Sequence, residues 1–372
     1  MERAGTHRPS GPRRDRRRKS YADPVTIDLD SLAAQVERPD DDARGRVREH
    51  LGALTGAPNS YGRLEDLAIW FASTQGGKAG TIAPIAAPRV VLFAADHGIA
   101  AHDVSVRHAG WTAREVRATL DGGSPTATFA AALDAPIRIV DIAVDAEPDA
   151  FPEHVSRDRI RRASAAIDTA DALAPGEAER AFQVGMDTAD AEIDSGADVL
   201  LLGSVGAAAT TPAAVLIGAL TGMDAAAVIG RGSGIDDATW IRKCAAIRDS
   251  LRRARPVLGD PMRLLGVSGG ADFAAMTGFL LRCSIRRTPV LLDDVSTAAA
   301  ALVAQRISYR APDWWLAGHV TPEPGHVKSL DRLALEPVLD YRVRGGEGLG
   351  ALLALPVLRA AVDLVARVHP TP

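Results

Sequence analysis

The sequence predicts an α/β fold built on a parallel sheet flanked by helices, and three observations predict it. Five short apolar runs stand at residues 88–95 (PRVVLFAA), 137–144 (IRIVDIAV), 197–203 (ADVLLLG), 289–294 (PVLLDD) and 313–318 (DWWLAG). Long Ala/Leu-rich stretches of helical period separate them, among them residues 212–220, 239–253 and 271–283. Polar residues collect at the C-terminal ends of the runs. Strand alternating with helix is the pattern of a parallel sheet covered on both faces, and the fold class is α/β with a Rossmann-like sheet.

Each run delivers its own polar group. Asp96-His97-Gly98 follows the first, Asp141 and Asp145 the second, Gly203-Ser204-Val205-Gly206 the third, Asp293, Asp294, Ser296 and Thr297 the fourth, and His319 the fifth. Open parallel sheets bind ligands outside the carboxyl ends of their strands, so these groups are predicted to share one crevice.

Composition bounds the function class. With 372 residues and 47% hydrophobic content the chain is long enough for one large domain with a small partner, and it reads as an ordinary soluble globular protein. Residues 1–19 carry a net charge of +6, which leaves −10 on the rest of a chain whose total is −4. A basic stretch without an apolar segment predicts a solvated, disordered tail over residues 1–25 that is neither a secretory signal nor a membrane anchor, and no nucleic-acid partner is expected. No segment reaches 18 apolar residues without a charge or a Gly/Pro break, which predicts no membrane span. Cys244 and Cys283 lack metal-ligand spacing and predict buried thiols in a reduced, cytoplasmic setting.

Three Gly- or hydroxyl-rich helix starts suggest a phosphorylated ligand. Residues 203–214 (GSVGAAATTPAA) run from a strand through Gly203, Ser204 and Gly206 to Thr210 and Thr211, with Pro212 near the helix start, where free N–H groups and the helix dipole favour an anion. Residues 230–237 (GRGSGIDD) form a second turn, followed by Lys243 as a source of positive charge, and Ser296 and Thr297 open a third helix. The P-loop order is absent. Asp96, His97, Asp236, Asp237, Asp293, Asp294, His319 and His326 could also suggest a metallohydrolase, but without a compact ligand motif; Asp236-Asp237 reads better as a helix cap and Asp96-His97 equally well as a strand-end turn. Glu347 is ringed by Gly345, Gly346, Gly348 and Gly350, either as a solvated loop acid or as a carboxylate that works close to bare backbone.

In order, the stretches GRLEDLA (62–68), FAADHGIA (93–100), TTPAA, GRGSGIDD with its following RK, SGGADFAAMTG, STAAAL, GHVTPEPGH and RGGEGLGALLALPVLRAAV resemble those of the nicotinate-nucleotide–dimethylbenzimidazole phosphoribosyltransferases, in their actinobacterial form. The resemblance spans roughly residues 45–368. It implies phosphoribosyl transfer from nicotinate mononucleotide to a benzimidazole-type base, giving α-ribazole 5′-phosphate and nicotinate for the cobalamin lower ligand. It implies Glu347 as general base; Gly203, Ser204, Gly206, Thr210, Thr211, Lys243, Ser296 and Thr297 around the ribose and phosphate; and Asp96, His97, Ser105, Ala109, His319 and Gly346 about the base pocket. The nicotinate ring leaves as a cation becoming neutral, so no metal or other cofactor is implied. A homodimer is implied, with a large α/β domain at 86–335 and a small helical domain made from both chain ends, 26–85 and 336–372.

The ligand loops depart from the family pattern. Ser204 replaces an acid, Ala208 a glycine and Ala209 an asparagine, while SVRHAGWT (105–112) places Arg107, His108 and Trp111 where the base pocket is expected. Three readings follow: the family reaction itself, a paralogue using another azole or ribosyl donor, or a non-catalytic nucleotide-binding relative.

Overall fold

The computed structural model describes residues 26–55, 59–75 and 82–368, so the basic tail lies outside the described residues. Five strands form one wholly parallel sheet: β1 (Pro88–Ala95), β2 (Ile137–Ala143), β3 (Val199–Val205), β4 (Val290–Leu292) and β5 (Trp315–Ala317), in the order β2-β1-β3-β4-β5. All five apolar runs are strands. Their bounds differ where polar residues find other work. β3 extends to Val205 because Ser204 and Val205 stay in register with Phe93 and Ala94. β4 stops at Leu292 because Asp293 and Asp294 turn to cap helices, and residues Ala311–Trp314 coil into a helical turn before β5.

Strand alternation divides the core into two layers. Val91, Phe93, Leu200, Leu202, Val290 and Leu292 face the helices Glu177–Asp194, Thr210–Thr221, Ala271–Ile285 and Val295–Ile307. Val90, Leu92, Leu201, Val205, Leu291 and Leu316 face the helices Asp41–Thr55, Arg63–Thr74, Trp111–Leu120 and Leu349–Ala366. Segments from the two ends of the chain thus pack together over one face of the sheet.

The helix Leu349–Ala366 is long and apolar enough to cross a membrane by length and composition, although Gly350, Pro356, Arg359 and Asp363 interrupt its apolar run. Its Ala351, Leu352, Leu355, Leu358 and Val362 are fully buried against the sheet and the N-terminal helices, which makes it a core helix. Cys283 is buried as expected, and its thiol is pushed up by burial; Cys244 is half-buried, and both are free thiols.

Candidate active site

The polar groups at the strand ends meet around Glu347. Gly203 in β3 has no side chain, and a Cβ there would lie 2.6 Å from the backbone nitrogen of Gly348, so the glycine admits the 345–350 strap against the sheet. The Glu347 N–H donates to the Ser204 carbonyl (3.2 Å), and the Glu347 carbonyl accepts from Thr126 Oγ1 (2.8 Å). At the end of β4 the Asp293 carboxylate accepts from the N–H groups of Gly348 (2.8 Å), Gly350 (2.5 Å) and Ala351 (3.2 Å), filling the orphan donors that open the helix Leu349–Ala366. Glu347 itself adopts φ +61°, a left-handed conformation costly for a side chain of its size. Such strain persists where surrounding contacts over-determine it, often at functional sites.

The carboxyl of Glu347 is 7% exposed. Burial pushes it up to about 7; Arg107, with Nη1 2.8 Å from Oε1, opposes that rise, while Glu115 and Asp294 add to it. A carboxyl that titrates near neutrality is suited to accept a proton and hand it on. Asp293 and Asp294 are also pushed up, first by burial, and Asp294 raises Asp293 further. Gly346 passes so close to this pair that a Cβ would lie 2.6 Å from Asp294 Oδ2.

A cationic pocket adjoins the carboxyl. Lys243 Nζ donates to Thr210 Oγ1 (2.6 Å) at the start of the helix Thr210–Thr221 and is fully enclosed; burial pushes it down to about 8 against the pull of Glu323. Glu323 in turn accepts from the Gly232 N–H (2.8 Å), fixing the Gly-rich turn beside the lysine. Arg344 Nη1 donates to the Gly232 carbonyl (3.3 Å), so the strap that carries Glu347 also closes over this turn. Thr211 Oγ1 is buried without a hydrogen-bond partner. Ala208 takes φ +63°, in the left-handed region that favours glycine. A helix start, a buried ammonium and a neighbouring guanidinium are features that favour an anion.

The remaining expected site residues support this frame. Asp96 accepts from Thr112 Oγ1 (2.6 Å) and the Asp145 N–H (2.8 Å), and Thr112 accepts from the Ala207 N–H (3.0 Å), tying the end of β1 to the loop after β3. His97 is buried with Nδ1 against Ser164 Oγ (3.2 Å) and Nε2 against Asp272 Oδ2 (3.1 Å); burial works against its charge, yet Asp272 raises its pKa overall. Both of its ring nitrogens are engaged by protein. His319 Nε2 accepts from the Tyr341 N–H (3.1 Å), holding the strap upstream of Arg344, and burial lowers its pKa. Ser296 and Thr297 are buried within a capping box: Asp294 Oδ1 accepts from both their N–H groups, and Thr297 Oγ1 accepts from the Asp293 and Asp294 N–H groups. Ser105 Oγ accepts from the Arg107 N–H (3.1 Å), while Ala109 is exposed in the turn ahead of the helix Trp111–Leu120. Asp236 accepts from the Thr239 N–H (2.8 Å), which is the capping role.

Reading the sequence missed Arg344, Glu323, Thr126 and Asp272. Arg344 was within sight, three residues before Glu347, but its partner Gly232 is 112 positions away. Among the described residues no group of three or more His, Cys, Asp or Glu is placed to hold a metal ion. A cavity of about 380 Å³ beside Asp198, Arg287 and Pro289 lies at the opposite, N-terminal ends of the strands, away from these groups.

A phosphoribosyltransferase family model matches residues 36–371. The nicotinate-nucleotide–dimethylbenzimidazole phosphoribosyltransferase of Streptomyces avermitilis is 53% identical over 342 residues, covering 92% of this chain and 91% of the relative. The enzyme of the same name from Streptomyces coelicolor is 50% identical, covering 93% and 97%. The crystal structure of CobT from Thermus thermophilus superposes with a TM-score of 0.82 at 34% identity, covering 88% of this chain and 97% of that one. With a sheet edge that gathers a buried carboxyl and a cationic pocket, and with kinship over nine-tenths of its length, the chain belongs to the nicotinate-nucleotide–dimethylbenzimidazole phosphoribosyltransferase family.

Proposed function

We propose that this protein transfers the phosphoribosyl group of nicotinate mononucleotide to 5,6-dimethylbenzimidazole, with Glu347 as general base. The observation that carries the reading is Glu347: a buried carboxyl pushed up to about 7, on a strap joined through Arg344 to the pocket of Lys243 and Thr210. The unprotonated azole nitrogen bonds to C1′ as the bond from C1′ to the nicotinate ring nitrogen breaks, and that bonding pair neutralises the pyridinium. Glu347 takes the proton from the second azole nitrogen. Lys243, Arg344 and the helix start at Thr210 bind the phosphate; Ser204 and Gly206 lie at the ribose end, while Gly203 and Gly346 let the strap that carries Glu347 close against β3 and Asp294. Asp96, His97, His319, Ser296 and Thr297 hold these groups in place through the bonds described above. We also infer a cytoplasmic homodimer, which the family resemblance supports and which sedimentation of the purified protein checks.

The test is incubation with nicotinate mononucleotide and 5,6-dimethylbenzimidazole, reading nicotinate and α-ribazole phosphate by mass spectrometry. Both products are expected from the native protein. Glu347→Gln is expected to bind both substrates and lose transfer by about 10²-fold or more, the scale of a lost general base. Absence of product from folded protein, followed by product with a different azole or donor, assigns the altered loops to a different substrate.

A further inference from the structure

Arg107 lies in the loop between the turn Gly98–His102 and the helix Trp111–Leu120. Its guanidinium carbon sits 3.8 Å from the ring centroid of Trp111, and its Nη1 sits 2.8 Å from Glu347 Oε1. The stack on the indole fixes the plane of the cation, and Ser105 Oγ fixes the backbone beneath it through the Arg107 N–H. The pair is close but bent out of hydrogen-bond alignment, leaving Oε1 buried without an aligned donor. Its force is therefore chiefly coulombic. The leading charges that act on Glu347 are the carboxyls of Glu115 from the helix Trp111–Leu120 and of Asp293 and Asp294 from the end of β4, against the cation of Arg107, while Arg344 on the same strap turns its guanidinium to the Gly232 carbonyl.

That imbalance gives Arg107 a specific task. Three acids and a dry environment favour a protonated Glu347, which cannot accept a proton from substrate. A well-aligned arginine fork would cure this by occupying the carboxylate lone pairs, which are the atoms the azole N–H must reach. The observed geometry sets the charge against the buried Oε1 and leaves Oε2 without a donor among the described contacts. Resting on the reading of Glu347 as general base, we propose that Arg107, propped on Trp111 and set against Oε1, is the positioning residue that keeps Glu347 ionised and aims its other oxygen, Oε2, at the azole N–H.

The experiment is the pH profile of kcat/KM for 5,6-dimethylbenzimidazole at saturating nicotinate mononucleotide, in the native enzyme, Arg107→Ala, Arg107→Lys and Trp111→Leu. Arg107→Ala is expected to move the midpoint of the acid limb up by about 1 pH unit or more, the size of effect one adjacent opposite charge exerts. The rate at the alkaline optimum is expected to fall much less than the rate at pH 6. Arg107→Lys restores most of the shift, and Trp111→Leu gives an intermediate one. Should the alanine variant unfold, Arg107→Gln carries the same test. An acid limb that stays put in the folded variant overturns the proposal. Turnover retained by Glu347→Gln is a separate result, and it removes the base assignment itself.

Discussion

Asp293, the last residue before the turn out of β4, holds the backbone of Gly348 and Gly350 through its two carboxylate oxygens, at 2.8 and 2.5 Å. One buried acid thereby links the sheet to the helix that follows Glu347. Replacing it by alanine leaves three helix-opening N–H groups buried and unpaired. The expected loss is about 3 kcal/mol of stability in urea unfolding, with transfer activity falling alongside. Asn retains one acceptor oxygen, and Asp293→Asn is expected to cost only about 1 kcal/mol.

Glu347 is built for chemistry at the expense of stability. Its folded-state pKa is raised from 4.5 to about 7, so the protonated form is favoured in the native state. The penalty of burying the charge is absent below pH 4.5, grows as pH rises, and is complete above about 7. Its full size is on the order of 3 kcal/mol. Glu347→Gln should therefore match the native protein in melting temperature near pH 4.5 and exceed it increasingly up to pH 8.

Lys243 sets the opposite limit. Burial pushes it down to about 8, so the free enzyme loses its ammonium as pH rises through that value. For the phosphorylated donor, kcat/KM is expected to form a narrow bell, rising through the titration of Glu347 near 7 and falling through that of Lys243 near 8. Lys243→Arg keeps its charge throughout and should abolish the alkaline fall. A donor profile that stays flat to pH 10 in the native enzyme takes the lysine out of phosphate binding.

Ala208 stands at φ +63° in the loop after β3. A side chain in the left-handed region costs about 1–2 kcal/mol, partly offset in glycine by its greater unfolded-state freedom. Ala208→Gly is expected to stabilise the protein by about 0.5–1 kcal/mol in thermal unfolding, without loss of transfer activity.

The sheet was legible because each strand is a closed apolar run with its polar residues pushed to one end. β1 matches residue for residue, since nothing within Pro88–Ala95 competes for another role. β4 is shorter than its run because the sequence does not reveal that Asp293 is claimed by Gly348, 55 positions away. The burial of Glu347 and the contact of Lys243 with Thr210 fall at positions that glycine placement and helix starts had marked locally. At Arg107 the position was legible as part of the base-pocket segment, but its partner was not. Nothing near residue 107 in the chain announces a carboxylate partner at 347, and only the fold brings the two together. Asp96, His97, Ser296 and Thr297 illustrate the converse: chemically versatile side chains at strand ends whose polar atoms the frame itself takes up.

The burial of the helix Leu349–Ala366 against the sheet carries a consequence for biogenesis. Every strand leaves the ribosome before this helix does, so a nascent chain can assemble the five-stranded sheet while Val90, Leu92 and Leu201 still lack their cover. Until Leu352, Leu355 and Leu358 arrive, that face is sticky and the strap bearing Glu347 lacks the helix whose opening N–H groups Asp293 holds. Activity and protection from aggregation are therefore acquired in the same late step of folding.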